Sequence, residues 1–270
     1  MIDVDAKEAE KLAKHIKRYK LRAKFDVRLL PNDERGVWNI WKDEHDGWTA
    51  HGLAGDLQEG KGRDGEVGCE DKRAPGMGRR VILEGGKKPE EDVEETSEEV
   101  YRVRRYLKGV PEGQDELIRE AALPQESNVD FMGGIDYRKG CYVGQELTIR
   151  THHTGVVRKR ILPIMLYGKD EKEPRELEYR RGEELGVEGI PRETSIGRWE
   201  KRGRSAGKFL TGVGNVGLGL CRLEIMTDVL IQGEAGGYRE GDEFKVEWEG
   251  DEGSEIVKLK AFVPSWHLTK

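Results

Sequence analysis

The sequence predicts an α+β protein whose second half is an all-β barrel or sandwich. Three observations point there. A helix-period segment is followed by alternating apolar residues near the start of the chain. A second helix-period segment follows an acidic stretch near residue 97. From Thr154 onward, short apolar runs recur between Gly, Pro and charged turns, and no further helical period intervenes.

Taken in order, Met1-Ile-Asp-Val-Asp5 reads as a strand. Asp5, with Glu8 three residues later, resembles a capping box. Ala9, Leu12, Ala13, Ile16 and Tyr19 then recur at helical spacing, opposite a solvated stripe of Lys7, Lys11, Lys14 and Arg18. Phe25, Val27 and Leu29 alternate, and Val37–Trp41 follows the turn Pro31–Gly36, which predicts an antiparallel hairpin. Residues 43–78, rich in Gly and Asp, read as an extended loop, and Arg80–Leu83 as a short strand. Residues 84–96 are acidic and are expected to form a mobile loop. Ser97 opens a helix that turns Val100, Val103 and Leu107 inward and ends at Gly109 and Pro111. A second short helix is expected over Asp115–Ala122, stopped by Pro124. Beyond Thr154, Val156, Arg158, Arg160 and Leu162 alternate with Val157, Lys159 and Ile161, and the strand pattern continues to the end, with charged loops at 168–185 and 197–206. The domain boundary is therefore set at residues 152–155, giving domains 1–153 and 154–270.

Composition narrows the function classes. The chain of 270 residues is 37% charged and 35% hydrophobic, with a net charge of −6, so no overall positive field draws it to nucleic acid or membrane. No apolar run approaches the roughly 20 residues that span a bilayer. Cys69, Cys141 and Cys221 stand far apart with no CxxC pair, which argues against a zinc ribbon, a dithiol redox motif or a disulfide framework.

One cysteine has a distinctive setting. Cys141 lies in Lys139-Gly140-Cys141-Tyr142-Val143-Gly144-Gln145-Glu146, between glycines that let the backbone turn. The segment from Gly144 to His153 has the composition of a short helix, with Leu147 and Arg150 one turn apart. Its N-terminal dipole, together with Arg138 and Lys139, favours a thiolate over a thiol. A thiolate serves as a nucleophile or as a soft metal ligand, and the local residues do not choose between them. The competing reading, a buried small hydrophobe, carries equal weight on local sequence alone. Cys221, in Leu218–Leu223, reads as core. His152 and His153 stand about 15 Å beyond Cys141 if the segment is helical, too far for a Cys–His dyad, and read as surface or interface polar groups. Arg150, Arg158, Lys159 and Arg160 read first as a solvated face and second as a steering patch for an acidic partner. Gly212-Val-Gly-Asn-Val-Gly217 fits a dinucleotide fingerprint but lacks a βαβ context, so a glycine-rich hairpin or bulge is expected.

The run from Gly133 through Lys139–Glu146 to Ile161 closely resembles the mitochondrial iron–sulfur cluster assembly factors, members of the folate-binding superfamily of the glycine-cleavage aminomethyltransferase. Lys14–Lys24, Asp71–Gly78 and Ala206–Gly212 extend the resemblance through most of the chain. What it implies is an aminomethyltransferase-like N-terminal domain followed by a C-terminal β-barrel, in the mitochondrial matrix. It implies a role late in the maturation of [4Fe-4S] proteins alongside an A-type scaffold protein. Cys141 matches the motif cysteine, and Lys139, Gly140, Tyr142, Gly144, Gln145 and Glu146 match the rest. Cluster irons take about four protein ligands, chiefly cysteines, so one well-placed thiol implies a transient iron–sulfur cluster shared with the partner. Family members carry a further stretch ahead of the segment matching Ile2–Asp5, so the folate-binding domain is expected to be truncated here and its tetrahydrofolate site incomplete. A folate-dependent one-carbon transferase is the rival reading from the enzyme class. Help with tRNA modification, suggested by bacterial relatives, is a third that the acidic charge opposes.

Overall fold

In the computed structural model the described residues are 1–43, 67–90, 93–118, 120–142, 144–183, 185–200, 203–231, 236–250 and 253–268. They fall into two compact units.

The first unit takes in Met1–Ile40 with 67–70 and the described part of 79–94. Residues 1–5 are irregular rather than a strand; the Asp5 carboxylate accepts the Lys7 N–H at 2.9 Å and caps a 3-10 turn leading into α1, Ala9–Tyr19. Ala13 is buried and Leu12 and Ile16 half-buried on α1. Tyr19, expected on that face, is 61% exposed and leans on His15. The expected hairpin does not form. Residues 25–29 alternate but stay irregular, and β1, Arg35–Ile40, pairs instead with β3, Arg79–Glu84. β3 in turn pairs with β2, Val67–Glu70, giving an antiparallel sheet in the order β1-β3-β2. Of the loop expected over 43–78, residues 44–66 lie outside the described residues, and 67–70 are this strand.

The second unit is built on the barrel. Strands β4 (Lys159–Tyr167), β5 (Ser195–Arg198), β6 (Gly207–Val213), β7 (Val216–Arg222), β8 (Phe244–Gly250) and β9 (Gly253–Ala261) close in the order β4-β7-β6-β5-β8-β9, with every pairing antiparallel. Closure removes the unpaired strand edges. Leu162, Ile164 and Leu166 of β4 join Phe209, Cys221, Val246 and Leu259 in one core cluster. The alternate residues Ile161 and Met165 join Val103, Tyr106 and Leu107 of α2, Glu98–Lys108, in a second. β4 is therefore apolar on both faces, which is why its alternation gives no solvent side. A short helix, α4, covers Leu223–Met226 after β7. The fingerprint-like Gly212–Gly217 is the β6–β7 hairpin, with Gly212 opposite Gly217 and Val213 opposite Val216.

Helix α2 ends where the sequence says it should. Gly109 adopts φ +69°, its N–H returns to the Tyr106 carbonyl at 3.0 Å, and the Val110 N–H reaches the Arg105 carbonyl at 2.9 Å. A Cβ at Gly109 would stand 2.9 Å from Pro163 Cδ, so close approach to β4 requires glycine as much as the turn does. The helix expected over Asp115–Ala122 is instead a series of turns in its described residues, with Glu120 at φ +59°. Glu116 in this stretch is buried and held by the Arg105 guanidinium, with Nη2 2.7 Å from Oε1.

Candidate functional site

The segment ahead of the cysteine is fixed to the barrel before the cysteine is reached. Arg160 on β4 is buried, and its guanidinium makes a two-point bond to the Asp130 carboxylate at 2.9 and 2.8 Å. It also donates to the Gln125 carbonyl at 2.7 Å and lies 3.7 Å from the centre of the Phe131 ring. Asn128, buried at φ +62°, donates to the carbonyls of Ile161 at 2.7 Å and Gly109 at 3.2 Å. The Ile161 N–H bonds back to the Glu126 carbonyl at 2.8 Å, and Lys159 pairs with the Glu126 carboxylate at 2.9 Å. Two members of the basic set read as a solvated face, Lys159 and Arg160, are thus committed to carboxylates, and Arg160 is not on the surface at all. Their partners come from about 30 residues earlier in the chain, and strand alternation carries no sign of them.

Beyond this anchor the chain runs exposed through Arg138, Lys139, Gly140 and Cys141 to Tyr142. Val143 lies outside the described residues. Helix α3 then spans Gln145–Thr154, as its composition predicts. Gly144 precedes it at φ +85° and ψ 4°, a left-handed conformation that glycine takes without strain. The Tyr142 N–H donates to Gln145 Oε1 at 3.1 Å while the Gln145 N–H donates to the Tyr142 carbonyl at 3.3 Å, a reciprocal closure of the turn. The Lys139 ammonium sits 3.9 Å from the centre of the Tyr142 ring. Lys139, Tyr142 and Gln145 are therefore brought together around the turn that displays Cys141. Gly140 is exposed beside it, and Glu146 is exposed in the first turn of α3.

Two contacts invisible in the sequence hold α3 itself. Gln125 Nε2 donates to the carbonyl of buried Thr148 at 2.7 Å. Tyr137 stacks on His152, the ring centres 3.7 Å apart and the planes 16° from parallel. Burial, and then the Asp130 charge, push the Tyr137 phenol upward, so it stays neutral against that carboxylate. His152 and His153 occupy the last turn of α3, at the opposite end from the thiol. The only signals that could have found the stack are the aromatic ring and the imidazole themselves, at no diagnostic spacing.

The three thiols differ in setting. Cys141 is exposed, and its sulfur takes no hydrogen bond among the described residues. Cys69 is exposed on β2, opposite Arg80. Cys221 is wholly buried in the barrel core, as the sequence predicts, and burial pushes its thiol upward so that it stays protonated. Among the described residues no group of three or more His, Cys, Asp or Glu side chains is placed to hold a metal ion, and no helix is long and apolar enough to cross a membrane. The loop ahead of α3 thus presents the Cys141 sulfur to solvent, and β2 presents that of Cys69.

Comparison with known proteins decides the family. Residues 158–268 match the family described as CAF17, C-terminal beta-barrel domain, in register with the barrel seen here. The chain is 53% identical over 274 aligned positions to the mitochondrial iron-sulfur cluster assembly factor IBA57 homolog of Pyricularia oryzae, covering 98% of this chain and 67% of that protein. The chain belongs to the IBA57 family of mitochondrial iron–sulfur cluster assembly factors. It is 48% identical to the IBA57 homolog of Chaetomium globosum, covering all of this chain and 65% of that one, and 48% identical to that of Neurospora crassa, with 98% and 65% covered. The chain thus spans about two thirds of the length of these IBA57 relatives. The family assignment, the α+β class and the C-terminal barrel expected from the resemblance all hold.

Proposed function

We propose that this chain is an iron–sulfur cluster assembly factor acting in maturation of mitochondrial [4Fe-4S] proteins, and that Cys141 lends its thiolate as one ligand to a cluster shared with an A-type scaffold protein. Membership of the IBA57 family supports the assembly role and the mitochondrial setting. The single observation that carries the residue assignment is the exposed Cys141 sulfur, free of hydrogen bonds among the described residues and displayed by a turn that Lys139, Tyr142, Gly144 and Gln145 brace. Cys221 is sealed in the core, and Cys69 sits on a strand in the other compact unit.

The chemistry follows from the ligand count. A cluster of this kind takes about four protein ligands in all. One thiolate from this chain leaves the remaining positions to the partner, so the cluster is cargo held between two proteins. On binding, the Cys141 S–H proton passes to solvent and the sulfur's electron pair forms the bond to iron. Both a bracing turn and an exposed sulfur favour a bond that forms and breaks as the partner docks and leaves. Tetrahydrofolate finds no equivalent support. Of the carboxylates ahead of the cysteine segment, Glu126 is engaged by Lys159, Asp130 by Arg160 and Asp136 by the Arg138 N–H at 2.8 Å, while Glu146 beyond it is exposed.

The test is anaerobic reconstitution of the chain with an A-type scaffold, reading absorbance and particle size together. Wild type should give a mixed complex with an iron–sulfur chromophore, and Cys141→Ser a folded protein without it. A Cys141→Ser complex of normal chromophore intensity would refute the assignment.

A further inference from the structure

Between Glu10 and Asp26 the chain carries Lys11, Lys14, Lys17, Arg18, Lys20, Arg22 and Lys24 and no acid, although its net charge is −6. The whole stretch lies in the first compact unit. Lys11 pairs with Glu8 and Lys20 with Asp26, and among the described residues the other five have no carboxylate within ion-pair reach. Unpaired surface cations occur elsewhere, but Lys169, Lys172, Arg175 and Arg181 are interleaved with Asp170, Glu171, Glu173, Glu176 and Glu183, whose charges offset them. Helix α1 turns Leu12, Ala13 and Ile16 inward, while Lys11, Lys14 and Arg18 recur at helical spacing on its outer face. It then stops in a turn, the Ala23 N–H reaching the Lys20 carbonyl at 2.9 Å. Leu21 at that turn is 87% exposed at φ +46°, a left-handed conformation that leucine adopts only under strain. Tyr19 and Phe25, on either side of it in the chain, are also exposed. The Arg18 guanidinium lies 5.7 Å from the Tyr19 ring centre, and the Lys20 ammonium 5.3 Å from that of Phe25. Isolated exposed leucines such as Leu230 and Leu268 are ordinary, whereas from Tyr19 to Phe25 apolar residues and cations alternate one by one.

We propose that residues 11–25 form a binding surface for anionic phospholipid, through which the protein adsorbs reversibly to a membrane. Charge complementarity selects this occupant. Phosphate headgroups match the unpaired ammonium and guanidinium groups, and the exposed Tyr19, Leu21 and Phe25 enter the boundary between headgroups and acyl chains. The lysine and arginine stems extend the apolar contact while their charged heads stay with the phosphates. At 11 residues α1 is too short to span a bilayer, which takes about 20, so the contact lies in the plane of the surface. The net charge of −6 does not oppose it, because screening limits each charge to a reach of about 8 Å at physiological salt and this stretch holds no acid. A single-stranded nucleic acid would match the cations, but it is bound by stacking on aromatic rings, and the most exposed apolar side chain of the stretch is the aliphatic Leu21. None of these residues belongs to the compact unit that carries Cys141, so lipid binding and cluster sharing are tested separately.

The test is co-sedimentation of the chain with vesicles of phosphatidylcholine alone and of phosphatidylcholine mixed equally with phosphatidylglycerol. Wild type should bind the mixed vesicles, less so as salt rises, and stay in solution with the neutral ones. Lys14, Lys17 and Arg18 are exposed and glutamine suits a helix, so Lys14→Gln/Lys17→Gln/Arg18→Gln should melt as wild type does. Its partition onto mixed vesicles should fall about hundredfold. Leu21→Gly removes the side chain and relieves the backbone strain, so its melting temperature should hold or rise. Its partition should fall about tenfold at low and high salt alike. Equal partition of wild type and the triple variant, or no binding of wild type to mixed vesicles, overturns the proposal. So does a wild-type dimer that Leu21→Gly disperses, or a salt-dependent complex with tRNA that displaces the mixed vesicles and that the triple variant loses.

Discussion

Tyr137 lies flat on His152, ring centres 3.7 Å apart, and so ties the loop leading to Cys141 to the far end of the helix that follows it. A stacked pair of this kind contributes about 0.5–1.5 kcal/mol beyond its buried area. His152→Ala should therefore lower unfolding free energy by about 1 kcal/mol in urea titration, and Tyr137→Ala by somewhat more because Tyr137 is also partly buried. The double variant should cost less than the sum of the two, since the shared contact can be lost only once.

Arg160 carries a larger load. It is buried, bonded at two points to Asp130, and bonded to the chain at Gln125. Arg160→Ala leaves the Asp130 carboxylate without its two-point donor and takes from the Gln125 carbonyl one of its two donors, the Asn128 N–H remaining at 3.1 Å, so a loss of about 3–5 kcal/mol is expected from chemical denaturation. Replacing the arginine by lysine should rescue little, because one ammonium cannot reproduce the two-point bond.

Gly144 sets the approach to α3 at φ +85°, and a Cβ there would meet nothing within 4 Å. Gly144→Ala should cost about 1 kcal/mol through backbone strain alone, without a steric clash. Cluster sharing should fall more than stability does, because the turn that displays Cys141 is what the strain disturbs. Comparing the melting temperature with chromophore yield separates the two effects.

The buried thiol gives a contrasting expectation. Cys221 packs in the barrel with Sγ 3.4 Å from the Gly219 carbonyl oxygen, and burial holds its titration above the usual thiol range. It should resist alkylation in the native protein at any pH at which the barrel stays folded, and react only on unfolding. Cys221→Ser puts a hydroxyl in that core and should lower stability by about 1–3 kcal/mol.

Much of this architecture is legible in the chain, for identifiable reasons. Ser97, Gly109 and Pro111 bracket α2, and Gly144 and Gly155 bracket α3, so local chemistry marks both helices. The barrel shows through because runs such as Leu218–Leu220 and the alternation of Phe244, Val246 and Trp248 recur between glycine, proline and charged turns. Where local signals lacked a partner, they misled. Phe25, Val27 and Leu29 have strand alternation, yet β1 takes β3 as its neighbour and leaves them unpaired. Val67–Glu70 is a strand only because β3 supplies the other side, and its Gly and Glu hide it. Arg160 and Lys159 look like surface charge until residues 126–130 fold back over β4. The cysteine turn follows the same division. Its helix can be read locally, whereas the exposure of the thiol, which local sequence left open, and the Tyr137–His152 and Gln125–Thr148 contacts depend on tertiary folding.

The most direct measurement is the alkylation rate of each cysteine, read by mass spectrometry on the chain alone and on the anaerobic, cluster-bearing complex with an A-type scaffold. Cys141 and Cys69 should both label in the free protein, and in the complex Cys141 should become strongly protected while Cys69 labels as before. Unchanged labelling of Cys141 in a complex that retains its iron–sulfur absorbance would contradict the account.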